Sequence, residues 1–468
     1  MNPSPTGYAP ITPDIVACLR EAIGEEAVVT DPDKLEPFGK DATELFHLPE
    51  LVVEAVTTEQ IQQLLRLANV YHFPVTPRGL GTGLTGGAVP LLGGVLLSLA
   101  KMNRILAIDP ENLIAVVEPG VVTGDLRKAA QNNGLFYPPD PASVDTCSIG
   151  GNAATNAGGA SCIKYGTTRS YILGLEVVLP SGEKIQAGVQ TRKGVVGYDL
   201  TQLLVGSEGT LGIITRLFVK LIPLPPAVTT LVALFPDLPS AMQAVTALLT
   251  SGHLPSAVEF MDDQCLELIG DLLPFAGVQE SKAFLLVETD GAPGVIKQEI
   301  EQMGEICLEH NPVNVFLAPD SYRRAQMWEV RRQVSLRIEE RAPLYIPEDV
   351  VVPLGRIAEF VETLPELAEA FGMKIYAFGH AGDGNIHLNI TAESRDHLQR
   401  IEEGIKAVLK RVLSMGGTIS GEHGIGFAKK HLLPLEISPE SIRLQQGIKR
   451  VFDPNLILNP GKIFESSG

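Results

Sequence analysis

Five glycines fall within nine residues at Gly79-Leu80-Gly81-Thr82-Gly83-Leu84-Thr85-Gly86-Gly87, directly after a strand-like Val75-Thr76-Pro77-Arg78. The spacing Gly81-x-Gly83-x-x-Gly86 formally meets the dinucleotide fingerprint of a Rossmann fold, which requires a helix to begin at once. Ala88-Val89-Pro90 and then Gly93-Gly94 follow instead, so no helix can start there. The next regular element is a strand-like run at 95–99. The Rossmann class is therefore excluded. A loop whose bare backbone N–H groups wrap a phosphate as a nest is the expected use of these glycines, with a plain flexible turn as the alternative.

Two more stretches are built of small residues. Thr146 to Gly159 contains Ser148-Ile149-Gly150-Gly151-Asn152, and its fourteen residues are almost all small. Such a run lets a flat ligand lie on the backbone, while Thr146, Ser148 and the asparagines offer hydrogen bonds. Gly206-Ser207-Glu208-Gly209-Thr210-Leu211-Gly212-Ile213 leads into another strand. Around these loops, strands are expected at 51–56, 113–117 and 173–179, and helices at 13–26, 58–70 and 124–133. From about Leu221 glycine thins out. Strands at 229–235, 257–261, 282–289 and 313–317 alternate with helices at 239–251, 263–270 and 293–310. That spacing is one of β-α-β units and reads as a separate domain. A helix at 357–370, a hairpin and a helix at 393–414 complete it.

The hairpin is Gly379-His380-Ala381-Gly382-Asp383-Gly384-Asn385-Ile386-His387-Leu388-Asn389. Period-2 alternation on both sides of Asp383-Gly384 predicts two strands and a tight turn, with His387 and Asn389 on one face and His380 leading into the loop. A second stretch, Ser420-Gly421-Glu422-His423-Gly424, can add a carboxylate. His380, His387 and Glu422 with an open position make a catalytic zinc pattern. Either piece alone also reads as ordinary capping or packing of a glycine turn.

Composition excludes several classes. A net charge of -18 leaves no basic stripe for nucleic acid. Mean hydropathy of +0.16 and 45% apolar residues fit a globular enzyme. The longest nearly uncharged run, 88–100, is too short to span a bilayer, and the N-terminus lacks the pattern of a secretory signal. The five cysteines, Cys18, Cys147, Cys162, Cys265 and Cys307, form no C-x-x-C pair. They suit neither an iron–sulfur cluster nor a disulfide framework, and imply a cytoplasmic location. Peripheral membrane association is compatible with this. Length predicts two to three domains, drawn at 1–220, 221–415 and 416–468.

Taken together, Pro77-Arg78-Gly79-Leu80-Gly81-Thr82-Gly83, Ser148-Ile149-Gly150-Gly151-Asn152, Gly206-Ser207-Glu208-Gly209 and Leu458-Asn459-Pro460-Gly461-Lys462 resemble the FAD-binding signatures of the p-cresol methylhydroxylase/vanillyl-alcohol oxidase superfamily. The 379–387 and 421–426 segments resemble its D-2-hydroxy-acid dehydrogenase branch, which holds D-lactate dehydrogenases, D-2-hydroxyglutarate dehydrogenase and the catalytic D subunit of glycolate oxidase. The resemblance spans roughly 35–465. It implies an α+β chain: a two-lobed FAD-binding domain with an inserted α/β cap domain and a C-terminal return. It also implies non-covalent FAD, since no histidine sits in the first flavin loop. The implied flavin contacts are Arg78, Gly79, Gly81, Thr82, Gly83, Ser148, Gly151, Asn152, Glu208, Ile213 and Asn459. The implied ligands of a divalent metal, zinc or manganese, are His380, His387 and Glu422. Arg331 is the implied holder of the substrate carboxylate, Asn389 a further substrate contact, and His423 the base.

The expected activity is dehydrogenation of a small 2-hydroxy acid, glycolate or D-lactate, to the 2-oxo acid, with electrons passing to a quinone, a carrier protein or a companion subunit. A homodimer is compatible with this reading. Where 2-hydroxyglutarate enzymes resemble Tyr-Lys-Tyr-Asp, this chain has Ile346-Pro347-Glu348-Asp349, which argues against a dicarboxylate. Three other classes fit parts of the pattern. Metal-dependent hydrolysis leaves the glycine loops unexplained, a flavin-bearing transferase differs by showing no net dye reduction, and a non-catalytic electron-transfer or assembly subunit has no need of the histidine set. The alternative to a substrate role for Arg331 is a helix-surface ion pair with Glu329 or a nearby acid.

Overall fold

The computed structural model describes residues 7–273 and 275–465. The chain forms two compact units. One takes in the residues up to Ala157, then Thr167–Leu224 and everything from Glu422 onward, and the other consists of Gly158–Gly166 and Pro225–Gly421.

The first unit opens with α1 (Pro13–Ile23), started by Thr12 as N-cap with Pro13 behind it. A four-stranded sheet follows, made of β1 (Val28–Val29), β2 (Leu51–Glu54), β3 (Val75–Arg78) and β4 (Val95–Ser98), in the order β1-β2-β4-β3. β4 lies parallel to both β2 and β3. The helix α2 (Thr58–Tyr71) crosses between β2 and β3 and is held by a capping box of Thr57 and Gln60. Its Ile61, Leu64, Leu65 and Ala68 meet Leu19, Leu51, Val53 and Val95 in one core. That core fixes the glycine loop after β3, because β3 ends where the loop begins.

A second sheet of five antiparallel strands holds β5 (Ile105–Asp109), β6 (Ile114–Val117), β7 (Ile172–Val178), β8 (Lys184–Gly188) and β9 (Ile213–Lys220), in the order β5-β6-β9-β7-β8. Between β6 and β7 come α3 (Thr123–Gln131) and α4 (Ile149–Thr155). α4, formed within the run of small residues, was not among the helices expected there. Gly150 and Gly151 are poor helix formers, yet Ser148 caps the helix through Gly151. A side chain at Gly150 would also strike Pro119. Close packing, rather than local propensity, sets the conformation there.

The second unit is built on one seven-stranded sheet. In chain order its elements are β10 (Ala227–Phe235), α5 (Leu238–Thr250), β11 (Ala257–Met261), α6 (Asp263–Ile269), β12 (Ala283–Gly291), α7 (Pro293–Glu309), β13 (Asn314–Leu317), α8 (Ser321–Glu339), β14 (Leu344–Val351), α9 (Ile357–Phe371), β15 (Lys374–His380), β16 (Asn385–Ala392) and α10 (Leu398–Ser414). The strand order is β13-β10-β12-β11-β15-β16-β14. Every neighbouring pair is antiparallel. The expected β-α-β units exist in split form. β10 and β11 run the same way, but β12 lies between them, and β16 likewise separates β14 from β15. Local spacing shows the crossover helix and not the strand that later enters the gap. α8, absent from the element list read off the sequence, buries Met327, Val330, Val334 and Ile338 together with Arg331. The buried arginine interrupts the apolar stripe by which such a helix is recognised.

Candidate active site

In the second unit, β15 and β16 pair as the expected hairpin. Phe378 stands opposite His387, Tyr376 opposite Asn389 and His380 opposite Asn385. Opposed residues share a sheet face, so His380, His387 and Asn389 point to the same side. The turn is closed by Gly384, at φ +85°, whose N–H donates to the His380 carbonyl at 3.0 Å. The two imidazoles meet edge to face at 88°, with His387 Nε2 3.4 Å from His380 Nε2.

Glu259 on β11, 1% exposed, stands beside His380 in the register. His380 Nδ1 donates to its Oε1 at 2.5 Å, and Arg331 Nε from α8 donates to its Oε2 at 2.8 Å. Burial by itself would raise the Glu259 pKa, but the hydrogen bonds from His380 and Arg331 and the Arg331 charge hold the carboxyl below the ordinary carboxylate value. Fixing the proton on Nδ1 directs the Nε2 lone pair of His380 toward His387, the arrangement of a carboxylate–histidine pair behind a metal ligand. Glu259 was not among the site residues expected from the sequence. Its one signal is an acid alternating into the otherwise apolar strand 257–261. Arg331 lies 4.6 Å over the Phe378 ring. Glu329 pairs with Arg332 and Gln333 instead, so the acid that pairs with Arg331 is the buried Glu259 and not its helix neighbour. Asn389 donates to Ser335 Oγ of α8 at 3.2 Å.

Asp349 on β14 is fully buried and stands opposite His387. It accepts from the Gly421 N–H at 2.7 Å and from Ser420 Oγ at 3.3 Å. These bonds fix the backbone one residue before Glu422. The candidate ligand atoms of His380, His387 and Glu422 all lie within 4.8 Å of one another.

In the first unit, the glycine loop is shaped by steric need. Gly81 has φ +76°, and a Cβ there would come within 2.0 Å of the Arg78 guanidinium. At Gly79 a Cβ would meet Ser148 Oγ at 2.4 Å, whereas Gly83 and Gly87 face open space. Arg78 is tied to the Lys40 carbonyl. Several expected flavin contacts have structural duties. Ser148 Oγ accepts from the Gly151 N–H at 3.2 Å, and Asn152 donates to Thr123 Oγ1 at 2.8 Å. The Ile213 side chain lies in the core. Glu208, at φ +51°, spends both carboxylate oxygens on the N–H groups of Ile425 and Gly426, at 2.9 and 2.7 Å. Burial pushes its carboxyl up, and those two bonds together with the nearby Lys462 charge oppose the rise. Asn459 donates to the carbonyls of Gly87 and Glu208, while its buried Oδ1 has no partner among the described residues. Lys462, not among the expected contacts, donates to the Gly86 and Val89 carbonyls at 2.6 Å each. His423 presents its backbone carbonyl to Thr85 Oγ1 at 3.3 Å. Residues 421–423 form a bend rather than the extended backbone that would turn neighbouring side chains to opposite faces.

Residues 224–463 match the family described as FAD linked oxidases, C-terminal domain, and residues 49–188 match the FAD binding domain family. The chain belongs to the FAD-linked oxidase family. This oxidase is 39% identical to glycolate oxidase subunit GlcD of Bacillus subtilis (strain 168), over 97% of each chain. It is 38% identical to D-lactate dehydrogenase of Anaerostipes hadrus, over 97% of this chain and 98% of that one. It is also 34% identical to D-2-hydroxyglutarate dehydrogenase of Stutzerimonas stutzeri (strain A1501), over 97% and 99%. The structure of p-cresol methylhydroxylase shares the fold, with a TM-score of 0.76 over 97% of both chains at 19% identity.

The oxidase's own residues fit the cofactor of its family. Gly83 and Gly87 leave the loop's face bare, and the unpartnered Asn459 Oδ1 offers a buried acceptor to a ligand donor. The donor set of two imidazoles and one carboxylate fits a divalent cation. No described helix of the oxidase is long and apolar enough to cross a membrane.

Proposed function

We propose that this oxidase converts a small 2-hydroxy monocarboxylate, glycolate or D-lactate, to the 2-oxo acid, using non-covalent FAD and a zinc or manganese ion held by His380, His387 and Glu422. One observation carries the reading: Glu259 ties the guanidinium of Arg331 to His380, whose candidate ligand atom clusters with those of His387 and Glu422. FAD, when bound, takes up the two electrons released at the substrate carbon. The cation, when bound, lowers the pKa of the hydroxyl it polarises. Arg331 keeps both terminal nitrogens for the substrate carboxylate, because only its Nε is engaged by a described residue. Asn389 orients the substrate from the same strand face as His387. His423, next in sequence to Glu422, takes the hydroxyl proton, a contribution of about 10²–10⁴-fold in rate. The loops around Gly79, Gly81, Thr82, Gly83, Ser148, Gly151 and Asn459 hold FAD mainly through backbone groups. The electrons leave to a quinone, a carrier protein or a companion subunit.

The second reading is D-2-hydroxyglutarate, the substrate in the name of one relative. Pro347 speaks against it. It stands directly opposite Asn389, where a lysine would meet a second carboxylate and proline offers no charge. The test is kcat/KM with an artificial dye for glycolate, D-lactate, L-lactate and D-2-hydroxyglutarate. A monocarboxylate is expected to lead. A tenfold preference for D-2-hydroxyglutarate, about 1.4 kcal/mol in transition-state binding, would overturn the choice of substrate.

A further inference from the structure

We infer that Glu259 is a positioning residue that supports the metal ligand and the substrate clamp with one carboxylate. This rests on the reading of His380 and Arg331 given under the proposed function. The two oxygens are divided between them: Oε1 accepts from His380 Nδ1 at 2.5 Å and Oε2 from Arg331 Nε at 2.8 Å. The carboxylate is 1% exposed, so water does not replace either bond when one is lost. Each bond has a distinct consequence. The first fixes the His380 tautomer, so that Nε2 carries the lone pair. The second takes Nε of Arg331 and leaves the terminal edge to face an incoming carboxylate end-on. Phe378 below the guanidinium, at 4.6 Å, blocks movement in that direction. β11 supplies this support from outside both motifs that carry the ligands. A neutral amide in place of Glu259 can still accept one bond, but it presents an N–H to the other donor. Metal affinity and substrate binding should therefore fall together.

The experiment uses the FAD-loaded protein, stripped of metal by chelation and titrated with Mn(II), with free ion followed by electron paramagnetic resonance. Steady-state kinetics with glycolate and D-lactate give KM and kcat separately. Glu259→Gln is expected to weaken Mn(II) binding about 10–100-fold and to raise KM about tenfold or more. Arg331→Leu should raise KM while leaving the Mn(II) affinity within about twofold, since His380 keeps its acceptor. The double variant should have the KM of Arg331→Leu alone, because Glu259 acts on substrate only through Arg331. FAD absorbance and circular dichroism check that each variant is folded. If Glu259→Gln unfolds, Arg331→Leu decides, since a loss of Mn(II) affinity of about tenfold or more there would overturn the division of roles. Wild-type Mn(II) affinity in Glu259→Gln, or multiplied KM effects in the double variant, would also overturn the inference. Absence of Mn(II) binding by the wild-type protein would sink the metal reading itself, and this inference with it.

Discussion

Glu422 and His423 are neighbours in sequence to which the proposed chemistry gives different tasks, and substitution separates them. Glu422→Gln should lower metal content by elemental analysis, with activity partly restored by added divalent ion. His423→Asn should keep both FAD and metal and slow flavin reduction in stopped flow. Reduction at the wild-type rate would remove His423 from the role of base. Glu208 is a residue whose importance lies in support. Its oxygens satisfy two backbone N–H groups of the segment that follows His423, so Glu208→Ala should cost about 2–3 kcal/mol and lower the Tm with partial loss of FAD. Lys462 gives a pH signature. Burial depresses its ammonium from 10.5 to about 8. Below that pH the lysine is protonated both folded and unfolded. Between about 8 and 10.5 the unfolded chain binds more protons, so this group's contribution to stability rises with pH. The stability of the native protein relative to Lys462→Met should therefore increase across that window in urea titrations, and a constant difference would contradict the depressed pKa.

At the scale of elements, β14 lies at the edge of the seven-stranded sheet. An edge strand tolerates Pro347, which lacks an N–H, and leaves the position open to exchange. Pro347→Lys should shift kcat/KM toward D-2-hydroxyglutarate by about tenfold, since a charge opposite Asn389 gives the second carboxylate a partner. The hairpin was legible from Gly379 to Asn389 because alternation and the Asp383-Gly384 turn act locally. The glycine loop was legible as something other than a Rossmann turn for the same reason: Pro90 and the glycines around it forbid a helix. α4 and α8 were not. α4 needs Ser148 and the contact of Gly150 with Pro119, and the buried face of α8 carries Arg331, whose charge is balanced from another strand.

For the whole molecule, the proposed non-covalent binding, with no histidine in the first flavin loop, means that FAD should come away intact. Acid precipitation is expected to release the yellow colour into the supernatant, and colour remaining in the washed pellet would contradict non-covalent binding. Removing FAD should lower Tm, because a ligand at 100 times its Kd adds about 2.7 kcal/mol to the folded state. The sequence by itself determined the family, the glycine loops, the hairpin and the identity of His380, His387 and Glu422 as a possible ligand set, because each is carried by residue types at short spacing. Only the tertiary structure decided that Glu259 stands between His380 and Arg331, that Asp349 anchors Gly421, and that Glu208, Asn152 and Ile213 have duties of support or core packing. These depend on which strands become neighbours in the sheet. That order is set by packing across more than a hundred residues of chain, which no local pattern records.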